Sequence, residues 1–280
     1  MDTISTQSKP VIVGYDGSDG GRRAVLWAAR HASAAKLPLI VVHCWVWPLF
    51  TQDLGPVAGV KDSGLQNDAE KTAAEGFDVA AQAEPGLEVH KRLVAGFHAE
   101  ILTRLSAEAS LLVTGTRGLG GFSGLLVGSV SLHLAASASC PIMVVREDQP
   151  AHENVLVAVD GSPESDRAVI VAADLAKTLD CSVHLLHVQP RRRHTIVGSA
   201  DVERDPIIQQ SLNLLPPQTD VVVVEDTLAA SSVPGAIIEH ARTASCVVLG
   251  AKGNNTLGAR LGSTVHAVLH HASGNVIVVR

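Results

Sequence analysis

Aromatic residues are scarce, at 3 % of the 280 positions, so the chain offers few platforms for stacking single-stranded bases. Net positive charge is missing as well. The 22 Lys and Arg stand against 28 Asp and Glu, a balance of −6, which gives no general attraction to nucleic-acid phosphates or anionic lipid. Nucleic acid and membrane are therefore not expected partners. The longest apolar stretch, 37–50, falls short of the ~20 residues a spanning helix needs. Residues 1–9 are polar and lack the basic-then-apolar order of a secretion signal. There is no CxxC pair: Cys44, Cys140, Cys181 and Cys246 lie in or beside apolar runs and read as small buried hydrophobes in a reducing, cytoplasmic setting. Gly-x-Ser-x-Gly, His-Glu-x-x-His and Walker Gly-x4-Gly-Lys-Ser/Thr patterns are absent too, so the chemistries they carry have no obvious bearer.

What the chain does have is Gly115-Thr-Arg-Gly118, nine further residues, then Gly128-Ser129, directly after the apolar run 111–114. Glycines let the backbone come close to a ligand, and a helix opening at Ser129 would turn its unpaired N–H groups toward an anion. A near copy follows as Gly250-Ala-Lys-Gly253, eight residues, then Gly262-Ser263.

That copy belongs to an internal repeat. The segment 11–18, ending Asp16-Gly17-Ser18, matches 155–162, ending Asp160-Gly161-Ser162, at an offset of 144, which also carries His43 to His187. The offset falls to 135 at Gly115/Gly250 and to 134 at Gly128/Gly262, so the second copy has lost ten residues, mostly in its middle. Two domains are expected, at 10–148 and 154–280, with a polar tail at 1–9 and a linker at 149–153. Hydrophobic content of 46 % with 18 % charged residues lets each build a core.

Strands are read at 10–15, 38–44, 88–94, 110–114 and 141–145, and again at 154–159, 182–188, 220–225, 246–249 and 275–279. Several are continuous apolar runs, as expected of strands covered on both faces. Helices are read at 19–35, 62–83, 98–109 and 129–139, the first with Ala24, Val25, Ala28, Ala29 and Ala32 at helical spacing. This alternation predicts an α/β fold of two doubly wound, mainly parallel sheets, with ligands at the carboxyl ends of the strands. Asp16 ends strand one and should neighbour the glycine loop ending strand four. A carboxylate beside an anion cradle suits a nucleotide: Asp16 accepts from ribose or helps hold Mg2+, and backbone N–H groups near Gly118, Gly128 and Ser129 take phosphates. The bland alternatives are a flexible glycine loop without ligand and an Asp16 that only caps the following helix.

These residues resemble the universal stress proteins, whose ATP-binding members carry Gly-x2-Gly-x9-Gly-Ser/Thr and an Asp after the first strand. The first copy matches that pattern throughout, together with the strands 11–16, 41–43 and 142–145 in order. The resemblance covers both halves, in the tandem arrangement common in actinobacteria. It implies two Rossmann-like (HUP-like) five-stranded sheets of strand order 3-2-1-4-5, with ATP and Mg2+ as cofactors and Asp16 and Asp160 as candidates to hold the metal through the nucleotide. Adenine is expected at the backbone of Gly14 and Cys44 and ribose at Asp16. Phosphates are expected at Gly115, Arg117, Gly118, Gly128, Ser129, Val130 and Ser131. The second copy offers Asp160, Val188, Gly250, Lys252, Gly253, Gly262, Ser263 and Thr264. Two departures stand out. The family's Gly-x-Pro-Ala after strand three is Gly96-Phe97-His98-Ala99 in one copy and Ser232-Val233-Pro234-Gly235 in the other, and the second glycine loop is one residue shorter.

The resemblance further implies that the last strands of the two domains associate in a pseudo-twofold pair, and that a homodimer and a regulatory protein partner are to be expected. The expected role is that of an ATP-binding regulator of stress physiology with slow or negligible hydrolysis. The competing readings are an ATP-dependent substrate-activating enzyme of a related superfamily, weakened by the absence of a Ser-Gly-Gly-x-Asp-Ser loop, and a ligand-free scaffold. Outside this frame stand His266, His270 and His271 on one predicted helix without an evident third metal ligand, Arg191-Arg192-Arg193 after the second copy's second strand, and Trp45 and Trp47 in the corresponding stretch of the first.

Overall fold

The computed structural model describes residues 8–45, 64–118, 127–147, 154–190, 205–215, 222–253 and 261–280. The first half runs β1 (Val11–Gly14), α1 (Asp19–Ala35), β2 (Leu39–Trp45), α2 (Gly64–Ala83), β3 (Val89–Ala95), α3 (His98–Leu105), β4 (Leu111–Gly115), α4 (Ser129–Ser137) and β5 (Ile142–Val145). The second runs β6 (Asn154–Val159), α5 (Pro163–Leu179), β7 (Ser182–Pro190), α6 (Pro206–Asn213), β8 (Val223–Ala230), α7 (Val233–His240), β9 (Cys246–Gly250), α8 (Ser263–His271) and β10 (Asn275–Val279).

Local chemistry sets the boundaries. Ser18 caps α1 by accepting from the Gly21 N–H, and the helix closes at Lys36 in the left-handed region. Its counterpart α5 repeats this with Ser162, Pro163 in the first turn and a left-handed Asp180. β1 is fully buried at Val11, Ile12 and Val13, so both faces of the sheet are covered. One core layer joins the sheet to α1, α2, α5 and α6, the other to α3, α4, α7 and α8.

All ten strands form one sheet, in the order β3-β2-β1-β4-β5-β10-β9-β6-β7-β8. Each half thus shows the order 3-2-1-4-5, with parallel pairing inside it. At the junction β5 and β10 pair antiparallel, Ile142 with Val278, Met143 with Ile277 and Val144 with Val276. Met143 and Ile277 are repeat equivalents, 134 apart, and the flanking pairs exchange equivalents, which is the signature of a twofold contact. The expected pairing of final strands is therefore realised within one chain.

Asn275, only 1 % exposed, clasps this junction. Its Oδ1 accepts from the backbone N–H of Arg146 (2.7 Å) and Glu147 (3.0 Å), and its Nδ2 donates to Glu147 O (2.8 Å). Arg146 reaches back to donate to Gly274 O and Leu269 O.

Some expected boundaries shift. β8 begins at Val223 and extends to Ala230 rather than ending at 225, because β7 continues to Pro190 and pairs with it along its whole length; residues 220 and 221 lie outside the described set. α3 stops at Leu105, where Ser106 turns its hydroxyl onto Thr103 O and accepts from Ser139 N–H. α4 stops at Ser137 because Ala138 is already extended. The start of the expected second helix at 62–63 and the linker 149–153 also lie outside. Among the described residues, no helix is long and apolar enough to cross a membrane. The four cysteines are free thiols, three of them buried.

Candidate functional site

A cavity of about 690 Å3 opens at the carboxyl ends of β1, β2 and β4. β1 lies between β2 and β4, where consecutive crossovers diverge to opposite sides of the sheet and leave a crevice. All ten first-copy positions expected from the sequence line it: Gly14, Asp16, Cys44, Gly115, Arg117, Gly118, Gly128, Ser129, Val130 and Ser131.

The walls are built from close backbone contacts. A Cβ on Gly115 would stand 2.6 Å from Gly20 C, so the end of β4 fits only against the glycine-rich first turn of α1. Gly17, at φ 83°, lets the chain turn so that Asp16 Oδ1 accepts from the Ser18 N–H (3.1 Å) and Oγ (2.6 Å). A side chain on Gly118 would run into Asp16 Oδ2. The carboxylate and the glycine loop are therefore neighbours. The Gly128 N–H donates to Thr116 O at 2.7 Å, closing the loop's two ends. No side chain caps α4, so its first-turn N–H groups are disposed for an anion. Ser131 lines the cavity, but its hydroxyl donates to Gly115 O (3.0 Å) and lies 3.3 Å from Thr114 Oγ1. Burial raises the Cys44 thiol to about 11, which makes it an uncharged wall rather than a nucleophile.

Several lining residues were not singled out from the sequence: Tyr15, Gly21, Val42, Leu102, Thr114, Thr116 and Val127. His43 and His98, also in the lining, had a signal but were not expected in the site: His43 as the repeat equivalent of His187, His98 within the segment 96–99 that departs from the family pattern. The His43 Nδ1 donates to Tyr15 O at 2.8 Å. Tyr15 is held by α2: its phenol is raised above the ordinary range by burial, then by a hydrogen bond to Glu75 and that residue's charge.

A second cavity of about 360 Å3 occupies the equivalent place in the other half, lined by Asp160, Val188, Gly250, Lys252, Gly253, Gly262, Ser263 and Thr264. The same constructions recur. Ser162 N–H donates to Asp160 Oδ1 (3.0 Å), Gly161 is at φ 73°, a side chain on Gly253 would meet Asp160 Oδ2, and Gly262 N–H donates to Ala251 O. The lining differs where Val159 replaces Tyr15 and Leu249 and Val265 replace Thr114 and Ser131. His187, unlike His43, gives its Nδ1 proton to a carboxylate, Asp205 Oδ2 at 2.8 Å. Asp205 in turn caps α6 through the Ile207 and Ile208 N–H groups and accepts from Gln189. The altered segments after β3 and β8 behave differently: Gly96 sits at φ 134°, whereas Ser232 caps α7 by accepting from Gly235 N–H.

A family model described as "Universal stress protein family" matches residues 7–146 and again 152–280. The chain belongs to the universal stress protein family. Among similar universal stress proteins is Rv2005c of Mycobacterium tuberculosis, 31 % identical over 96 % of each chain. Rv1996 of the same organism is 29 % identical over 96 % of this chain and 94 % of its own. The crystal structure of a universal stress protein from Archaeoglobus fulgidus superposes with a TM-score of 0.74 at 19 % identity, covering 98 % of this chain and 99 % of that one, and so shares its fold. This universal stress protein is a tandem one, with a family match and a cavity in each half.

Arg191-Arg192-Arg193 and Trp47 lie outside the described residues, as do the spans 119–126 and 254–260 between the glycines; Trp45 ends β2. Among the described residues, no group of three or more His, Cys, Asp or Glu is placed to hold a metal ion.

Proposed function

We propose that this universal stress protein binds ATP in the first cavity as a regulatory ligand, with slow or negligible hydrolysis. The observation that carries this is the placing of Asp16 against Gly118, beside an α4 N-terminus that no side chain caps, at the crevice of a doubly wound sheet. Adenine would meet the backbone of Gly14 and Cys44, ribose Asp16, and the phosphates the glycine loop with Arg117 and the first turn of α4. A single carboxylate beside a phosphate cradle fits Mg2+ held mainly by phosphate oxygens and water, with Asp16 as the protein's contribution and Asp160 in the same role opposite. The metal would offset repulsion between that carboxylate and the phosphates.

The second cavity takes an adenine nucleotide in the same pose, through Asp160, Val188, Lys252, Gly253, Ser263 and Thr264. Its smaller volume and apolar Leu249 and Val265 make it the weaker of the two sites. The protein acts in the cytoplasm, where its nucleotide occupancy is read by a regulatory protein, and it pairs as a homodimer; monomer alone in light scattering at micromolar concentration would remove that last element.

Nucleotide released from freshly purified, denatured protein, identified by chromatography and mass spectrometry, tests the reading. Two ATP per chain are expected, falling by one in Gly118→Ala and by one in Gly253→Ala. One ATP, lost only in Gly118→Ala, restricts binding to the first half. No nucleotide, with none taken up on titration, leaves a scaffold. A turnover near the ~10 s−1 of a typical enzyme, abolished by Asp16→Asn, would instead make this an ATPase.

A further inference from the structure

His266 and His270 stand one turn apart on α8, their ring centroids 4.5 Å apart and their planes inclined by 40°. Five of the eleven histidines among the described residues have a polar partner on a ring nitrogen: His43 with Tyr15 O, His90 with Glu88, His184 with Asp226, His187 with Asp205 and His240 with Ala236 O. Among the described residues, neither His266 nor His270 makes such a hydrogen bond. Two imidazoles are thus brought together with their nitrogens uncommitted.

We propose that His266 and His270 form a bidentate site for a borderline transition-metal dication such as Zn2+, separate from either nucleotide cavity. The spacing fits. A Zn–N bond of ~2.0–2.1 Å puts a ring centroid roughly 3.2 Å from the metal, and two such rings have centroids roughly 4.5 Å apart at a 90° N–metal–N angle and roughly 5.2 Å apart at the tetrahedral angle, so the observed 4.5 Å matches the narrower angle and a tetrahedral ion requires the rings to open slightly. Imidazole nitrogens suit Zn2+, Ni2+ and Cu2+ and are poor ligands for Mg2+ or Ca2+.

His270 lies in the last turn of α8, whose C-terminal carbonyls favour a cation, while His266 closes its first turn. Arg146 opposes one, but its guanidinium is directed to Gly274 O and Leu269 O. The remaining coordination positions fall to water, so the site is weaker than a closed three- or four-ligand centre. In the first half the equivalent positions are Leu132 and Ala136, so one ion per chain is expected. Chelation across one turn would also brace α8, whose first turn carries Ser263 and Thr264 in the second cavity.

The test is a calorimetric titration of the chelator-stripped full chain with zinc sulphate, paired with electron paramagnetic resonance of the Cu2+ form to count coordinated imidazoles. One saturable site with two imidazole nitrogens is expected. Affinity should fall by roughly tenfold or more in both His266→Ala and His270→Ala, each then showing at most one nitrogen, while His271→Ala leaves the site intact. His266→Gln, with folding checked by circular dichroism, guards against a structural effect of the smaller side chain. No saturable binding below ~1 mM, an unchanged isotherm in the two alanine variants, or an equal loss in His271→Ala would overturn the assignment. None of these outcomes depends on nucleotide, so the proposal stands or falls independently of the ATP reading.

Discussion

At Asp16 the two carboxylate oxygens have different surroundings. Oδ1 accepts from the Ser18 N–H and hydroxyl and so fixes the turn that starts α1, while Oδ2 lies on the Gly118 side, at the cavity wall. The two roles separate by substitution. Asp16→Asn keeps an acceptor for the Ser18 turn and removes the charge; Asp16→Ala removes both. The asparagine variant should unfold in urea within ~0.5 kcal/mol of wild type yet lose first-cavity nucleotide, whereas the alanine variant should also lose about 1 kcal/mol from the broken turn. Equal nucleotide content in wild type and the asparagine variant would reduce Asp16 to a helix-capping residue.

Helix α1 carries a half-buried histidine that its equivalent does not have. His31 stacks on Trp27, with centroids 5.0 Å apart and planes within 15°, and its Nδ1 is buried without a hydrogen-bond partner. Burial lowers its pKa from 6.5 to about 4. The unfolded chain therefore binds a proton that the folded one refuses between those values. Stability is fully present above pH 6.5 and is lost as pH falls toward 4, by at most about 3 kcal/mol from this group. The repeat offers the control, since the same position in α5 is Leu175, 3 % exposed. His31→Leu should flatten the slope of unfolding free energy against pH from 6.5 to 4, measured by urea titration at a series of pH values; an unchanged slope would place the acid sensitivity elsewhere. The alanine stripe of α1 was readable from its spacing, and His31 was not, because its burial comes from the elements packed around α1 rather than from local pattern. The same limit applies to His187 and Asp205, which meet only when α6 folds back on the end of β7. Order and type of element, by contrast, were legible because several strands, such as β1, β4, β5, β9 and β10, are short apolar runs, and because the repeat states most signals twice. The cavity was legible to the extent that it is backbone: every expected glycine lies in its wall. Its side-chain lining, as with Thr114 and His98, depends on which strand faces which helix.

Across the whole molecule the two halves share one sheet through three apolar residue pairs and one polar clasp. Asn275 has no counterpart in the first half, where its repeat equivalent is Pro141, so a nearly symmetric junction is fastened on one side only. Removing the side chain in Asn275→Ala would take these partners from the Arg146 and Glu147 N–H groups and Glu147 O in a part-buried contact, a loss of about 1–2 kcal/mol. The apolar register of Ile142, Met143 and Val144 against Val276, Ile277 and Val278 remains, and with it the physical link that makes the halves unfold together. The distribution of tryptophan makes this measurable, because Trp27, Trp45 and Trp47 all fall in the first half while circular dichroism reports on both. In wild type the fluorescence and dichroism transitions in urea should coincide, and in Asn275→Ala both should move together to lower urea. Asn275→Asp, which can still accept from the two N–H groups but no longer donates to Glu147 O, should fall between them. If the transitions separate in Asn275→Ala, the clasp rather than the strand pair couples the halves. If neither moves, the junction's stability resides in its apolar strand pairs and in the packing of α1 against α5.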